Sequence, residues 1–126
     1  MTILDASALL AYVLDEPGAE VVEEALAEEG SIGAVNLAEV LTKLADVGQE
    51  PGSAMGHIGL LPIEIVPFDE DLAIETARLR PLTAAAGLSL GDRTCLALGR
   101  RLGRRVLTAD ASWLGLVADV QVQLIR

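Results

Sequence analysis

Along the chain, short apolar runs alternate with stretches in which apolar residues recur every three or four positions, and this alternation predicts strands separated by helices. Thr2-Ile3-Leu4 reads as a strand that meets Asp5-Ala6-Ser7, after which Ala8, Leu9, Tyr12 and Val13 keep helical spacing. Glu16-Pro17-Gly18 breaks that helix. A second runs from Ala19 to Glu29 with Val21, Val22 and Leu26 inward, and Gly30 stops it. Ser31 to Val35 is a weak strand, and Asn36-Leu37-Ala38-Glu39 has capping-box spacing, which puts Glu39 in the first turn of a helix through about Val47. Pro51 starts a further helix with Met55, Ile58 and Leu61 facing in, and Ile63 to Val66 is a third strand. Phe68-Asp69-Glu70-Asp71 leads into a helix carrying Leu72, Ala73, Thr76, Ala77 and Leu79; Pro81 closes or kinks it, and Thr83 to Leu88 is an Ala-rich continuation.

The segment from Leu88 to Trp113 is the most explicit. Ser89 is a candidate N-cap with Asp92 three residues on, and Cys95, Leu98 and Leu102 form an apolar face that ends at Gly103. Arg93, Arg100 and Arg104 lie on the opposite stripe. Val106-Leu107 fits a buried strand and Thr108-Ala109-Asp110 turns out of it, so Asp110 sits at a strand's carboxyl end. A short helix ending near Val117 follows, and Val120, Val122 and Leu124 alternate as a final edge strand. Strands alternating with helices imply right-handed crossovers and a mostly parallel sheet between helix layers, an α/β fold. In such sheets the working site lies beyond the carboxyl ends of the strands.

Composition sharpens this. The chain has 126 residues, enough for one domain spanning 1–126 with a self-sufficient core. Hydrophobic residues make up 52% and aromatics only 2%, so the core is aliphatic and base stacking on aromatic platforms is nearly excluded. The net charge of −10 argues against a broad basic face for nucleic acid and favours positive partners, either metal cations or a basic protein arm. One cysteine, Cys95, excludes an internal disulfide. With no basic leader before the first strand and no apolar run of membrane-spanning length, a cytoplasmic, membrane-free protein is expected.

The parallel-sheet rule gathers Asp5, Glu39, Asp92 and Asp110 near one edge. Each has a plain structural reading: Asp5 and Asp110 as N-caps, Glu39 and Asp92 as the third-position acids of capping boxes begun by Asn36 and Ser89. Together, four acids at one mouth repel unless a cation binds or protons stay on. Oxygen-only ligation suits Mg²⁺ or Mn²⁺, and the matching reaction is hydrolysis of a phosphodiester.

Asp5 in ILDASAL, Glu39 in NLAEV, Asp92 in LSLGDRTCLALG and Asp110 in VLTADASW resemble, in order and spacing, the four acidic motifs of PIN domains of the VapC type, the toxins of type II toxin–antitoxin pairs. The resemblance covers the whole chain. It implies a three-layer α/β/α sandwich on a five-stranded sheet, Mg²⁺- or Mn²⁺-dependent endoribonuclease activity on RNA, a homodimer, and an antitoxin whose basic C-terminal segment covers the acidic cleft. It assigns Asp5, Asp92 and Asp110 as metal ligands and Glu39 as a direct or water-mediated ligand that helps activate the attacking water. Ser7 and Thr108 fit the pattern as hydroxyls beside the cluster. Asp69 also follows a strand, and only the resemblance, which puts that strand at the sheet's far edge, sets it apart.

Other residues point to less. His57 is a lone histidine, Cys95 lies on an apolar face, and Trp113 reads as a packing anchor. The Arg93, Arg100, Arg101, Arg104 and Arg105 group fits a solvated helix face or internal salt bridges before it fits an RNA contact. A phospho-acceptor receiver needs a strand-end lysine, and the only lysine is Lys43, inside a helix; a haloacid-dehalogenase-type phosphatase needs an Asp where Ser7 stands. The remaining rival is a non-catalytic PIN-like module that binds RNA or protein. For an antitoxin, an apolar groove is expected on Val21, Val22, Leu26, Val40, Leu41 and Leu44.

Overall fold

Five parallel strands in the order β3-β2-β1-β4-β5 form the sheet of the computed structural model, which describes residues 1–126. They are β1 (Thr2–Leu4), β2 (Gly30–Gly33), β3 (Ile63–Val66), β4 (Arg105–Thr108) and β5 (Val122–Leu124). Seven α-helices connect them: α1 (Ala6–Val13), α2 (Ala19–Ala27), α3 (Ala34–Asp46), α4 (Pro51–Ile58), α5 (Glu70–Arg78), α6 (Arg80–Thr83) and α7 (Leu90–Leu102). A single 3₁₀ turn, Ala111–Trp113, follows β4.

Strand alternation sorts the core into two layers. Leu4, Ile32 and Leu107 pack with α1 to α4, whereas Ile3 and Val106 pack with Leu72 of α5, Leu96 and Leu98 of α7 and the buried Trp113. The strand order reverses at β1, which has β2 on one side and β4 on the other, and a crevice opens beyond the carboxyl ends at such a reversal. β3 is at the far edge, with Glu64 and Ile65 exposed.

The expected three-layer sandwich is present, with local corrections. β2 ends at Gly33 and α3 begins at once, so Asn36 lies inside the helix and caps nothing, and Glu39 falls in its second turn. α2 stops at Ala27, with Glu29 at a positive φ of 65° before Gly30 enters β2. On α4 the inward residues are Ala54 and Ile58, with Met55 half-buried. No α-helix follows Trp113; eight residues, 114–121, mostly turn and bend, lead into β5. Val22, Leu26 and Val40 are core residues and cannot form the exposed groove expected of them, Val21 and Leu41 are half-buried, and Leu44 is buried beneath a different groove. A groove of about 840 Å³ lies instead between α1, α3 and α4, with an apolar wall of Tyr12, Val13, Ala54, Ile58 and Leu61 over Leu44 and a polar rim of Gln49, Glu50, Ser53 and His57.

Candidate active site

Asp5, Glu39, Asp92 and Asp110 line one cleft of about 240 Å³ beyond the carboxyl ends of β1 and β4, together with Ala6, Ser7, Leu10, Asn36 and Lys43. Three of the four acids are also helix caps. Asp5 Oδ1 accepts the Ala8 amide at 2.8 Å at the start of α1; Ser89 and Asp92 form a reciprocal capping box on α7; Asp110 Oδ1 accepts the Ser112 amide at 2.9 Å. The positive ends of α1 and α7 thus face the carboxylates. Capping and site-building are the same geometry here, because the residue that ends a strand and opens a helix in this topology stands at the crevice.

Asp5 is the fixed point. Ser7 Oγ donates to its Oδ1 at 2.6 Å and Thr108 Oγ1 to its Oδ2 at 2.8 Å. Those same hydroxyls accept the amides of Ala109 at 3.0 Å and Asp110 at 3.1 Å, which ties Asp110's turn to Asp5. Only 5% exposed, Asp5 has a pKa raised from 3.8 to about 6, first by burial and further by the nearby charge of Asp92, against the lowering effect of its three hydrogen bonds.

Glu39 is held from two sides. Asn36 Nδ2 donates to Glu39 Oε1 at 2.8 Å and to the Gly91 carbonyl at 3.0 Å, which joins α3 to the first turn of α7. A Cβ on Gly91 would overlap the Glu39 carboxyl group, so that carboxylate lies directly over the backbone beside Asp92. The convergence is felt underneath as well: burial pushes the Cys95 thiol up, and the charges of Asp5, Asp92 and Glu39 push it further. That thiol is a neutral core group, as expected of it.

The donor set consists of carboxylate oxygens, the chemistry a hard divalent cation requires. No three His, Cys, Asp or Glu side chains are grouped closely enough to hold a metal ion as they stand. Glu39 and Asp92 are half-buried and Asp110 is exposed, whereas Asp5 is buried and held by three hydrogen bonds.

Asp69 is elsewhere. It caps α5 through the Leu72 amide and pairs with Arg101 at 2.9 Å, nine residues or about 13 Å along α7 from Asp92. Arg100 pairs with Asp119 at 3.0 Å, Arg93 donates to the Thr76 carbonyl, and Arg104 and Arg105 donate to Ser31 and Thr2 near the amino ends of the strands. The arginine cluster is structural. His57 lines the apolar groove on α4, away from the acids. Asn36, Gly91 and Lys43 were not legible as site residues by motif; their signal is helical register, since Asn36 and Lys43 share a face of α3 with Glu39.

A family model described as PIN domain matches residues 2–117. The chain belongs to the PIN domain family. In fold, this PIN domain is similar to VapBC2 from Rickettsia felis, whose crystal structure is of the complex bound to a DNA fragment from their promoter (TM-score 0.77, 14% identity, covering 98% of this chain and 97% of that one). It is similar also to a toxin–antitoxin complex from Klebsiella pneumoniae (TM-score 0.74, 18% identity, 100% and 98% covered). A third likeness is to Mycobacterium tuberculosis VapC20, a sarcin-ricin loop cleaving toxin (TM-score 0.72, 19% identity, 96% and 99% covered). Among curated proteins none matches its sequence. No helix of this PIN domain is long and apolar enough to cross a membrane.

Proposed function

We propose that this PIN domain is a Mg²⁺- or Mn²⁺-dependent endoribonuclease and the toxin of a type II toxin–antitoxin pair, acting as one domain over residues 1–126. The observation that carries the reading is the meeting of Asp5, Glu39, Asp92 and Asp110, from four separate segments, in one cleft at the strand-order reversal. In this reading Asp5, Asp92 and Asp110 would hold the ion, and Glu39 would ligate it directly or through water and help activate the attacking water. A bound divalent ion supplies a water of lowered pKa and neutralises charge on the phosphodiester. The protein's own part is preorganisation: Ser7 and Thr108 hold both oxygens of Asp5, Asn36 aims Glu39, and the capping box anchors Asp92.

The partner in this reading is an antitoxin whose apolar segment lies in the groove between α1, α3 and α4 and whose basic C-terminal end reaches the acidic cleft, which α1 and α3 also line. A homodimer in the cytoplasm completes the proposal. The net charge of −10 fits a basic partner.

A labelled RNA incubated with the purified protein tests this. Cleavage in Mg²⁺ or Mn²⁺ is expected, with none in EDTA or with Asp92→Asn, and inhibition at low salt by an apolar peptide with an Arg/Lys-rich end. An equal cleavage rate for Asp92→Asn overturns the assignment. The rival, a non-catalytic RNA- or protein-binding module, is favoured by the absence of a ready-formed carboxylate shell; it predicts RNA or protein binding with no cleavage in any metal.

A further inference from the structure

The acidic cleft is lined by one cation. Lys43, the chain's only lysine, is four residues beyond Glu39 on α3 and lines the same cleft as all four carboxylates. Its side chain is exposed, and none of the protein's ion pairs includes it, so its charge is not consumed internally. Every arginine but Arg80 is engaged elsewhere, in ion pairs (Arg78, Arg100, Arg101) or hydrogen bonds (Arg93, Arg104, Arg105, Arg126).

An anionic strand faces an electrostatic problem at this cleft. One divalent ion among four carboxylates leaves the cleft negative, and the protein around it carries a further excess of acids. No aromatic side chain lines the cleft, so bases cannot be held there by stacking. The backbone phosphate is the group left to grip, and an ammonium with three donors on a flexible stem is suited to it.

We infer that Lys43 is a substrate-binding residue whose ammonium takes a phosphate oxygen of the RNA strand, offsetting the carboxylates and holding the strand over the cleft; this rests on the nuclease reading. A phosphate contact made equally in the ground and transition states lowers KM and leaves kcat alone. The alternative is a helix partner for Glu39, which acts on stability or on Glu39 and not on substrate affinity.

The test uses the full chain and a labelled single-stranded RNA oligonucleotide that the wild type cuts. Lys43→Ala is expected to raise KM by about tenfold with kcat held within about twofold. On the Asp92→Asn background, the same change is expected to lower the slope of log Kd against log salt by about 0.7, the loss of one phosphate contact. Lys43→Arg restores both and Lys43→Glu binds more weakly than Lys43→Ala. An unchanged KM and salt slope in Lys43→Ala, or a loss confined to kcat or melting temperature, overturns the inference while the wild type still cuts. A wild type that cuts no RNA in any metal removes the nuclease reading and this inference with it.

Discussion

Asp5 is the one carboxylate of the cleft that water barely reaches, and it makes its own contribution to the pH dependence of the metal-free protein. Its folded pKa, about 6, lies above the ordinary 3.8, so its contribution to stability is fully present below pH 3.8 and is lost as pH rises through 6. At neutral pH the ionised form costs the fold on the order of 3 kcal/mol. Asp5→Asn, which keeps the acceptor for the Ala8 amide, is therefore expected to melt roughly 10 °C higher than wild type at pH 8 in EDTA and at the same temperature near pH 3.5; equal melting at pH 8 would contradict the raised pKa. Ser7 and Thr108 were legible as hydroxyls beside the cluster only through the family resemblance, since position alone reads equally as a helix-start and a strand-end hydroxyl. Asn36 and Lys43 were not, because local spacing reads equally as cap or solvated face until α3 is set against α7.

At the level of elements, what decided the site was where each helix begins. Ser89 and Asp92 behaved as their spacing dictates, while Asn36 and Glu39, with the same spacing, sit within a helix because β2 passes into α3 with no loop between them. The same three-residue interval then serves a side-chain pair on one helical face. Strand order was beyond local pattern: nothing in the segment around Asp69 distinguishes it from the four acids, and its exclusion comes from the ion pair with Arg101 at the far end of α7. The α3–α7 contact makes a test. Gly91→Ala places a methyl group on the Glu39 carboxyl, the flexible end of a half-buried side chain, so the fold persists and Glu39 moves. A fall in kcat of about tenfold or more, with an unchanged circular dichroism spectrum, is expected; wild-type kcat would show that the position of Glu39 over Gly91 is immaterial.

Across the whole molecule, the sheet's direction separates two sets of side chains. The four cleft acids lie beyond the carboxyl ends of the strands, and Arg104 and Arg105 bind near where strands start. The alternation of strands and helices, the parallel sheet and the edge holding the acids were readable from pattern alone, because crossover handedness and the carboxyl-end rule leave few arrangements. The groove between α1, α3 and α4 was not, since helix faces that look amphipathic are consumed by the core: Val22, Leu26 and Val40 are all buried away from it. The central claim is that the four acids jointly trap a divalent ion. Mn²⁺ titration followed by electron paramagnetic resonance tests it most directly: the account predicts loss of the free-ion signal on the wild type and its return with both Asp5→Asn and Asp92→Asn, whereas no binding at millimolar Mn²⁺, or binding indifferent to both substitutions, would contradict it.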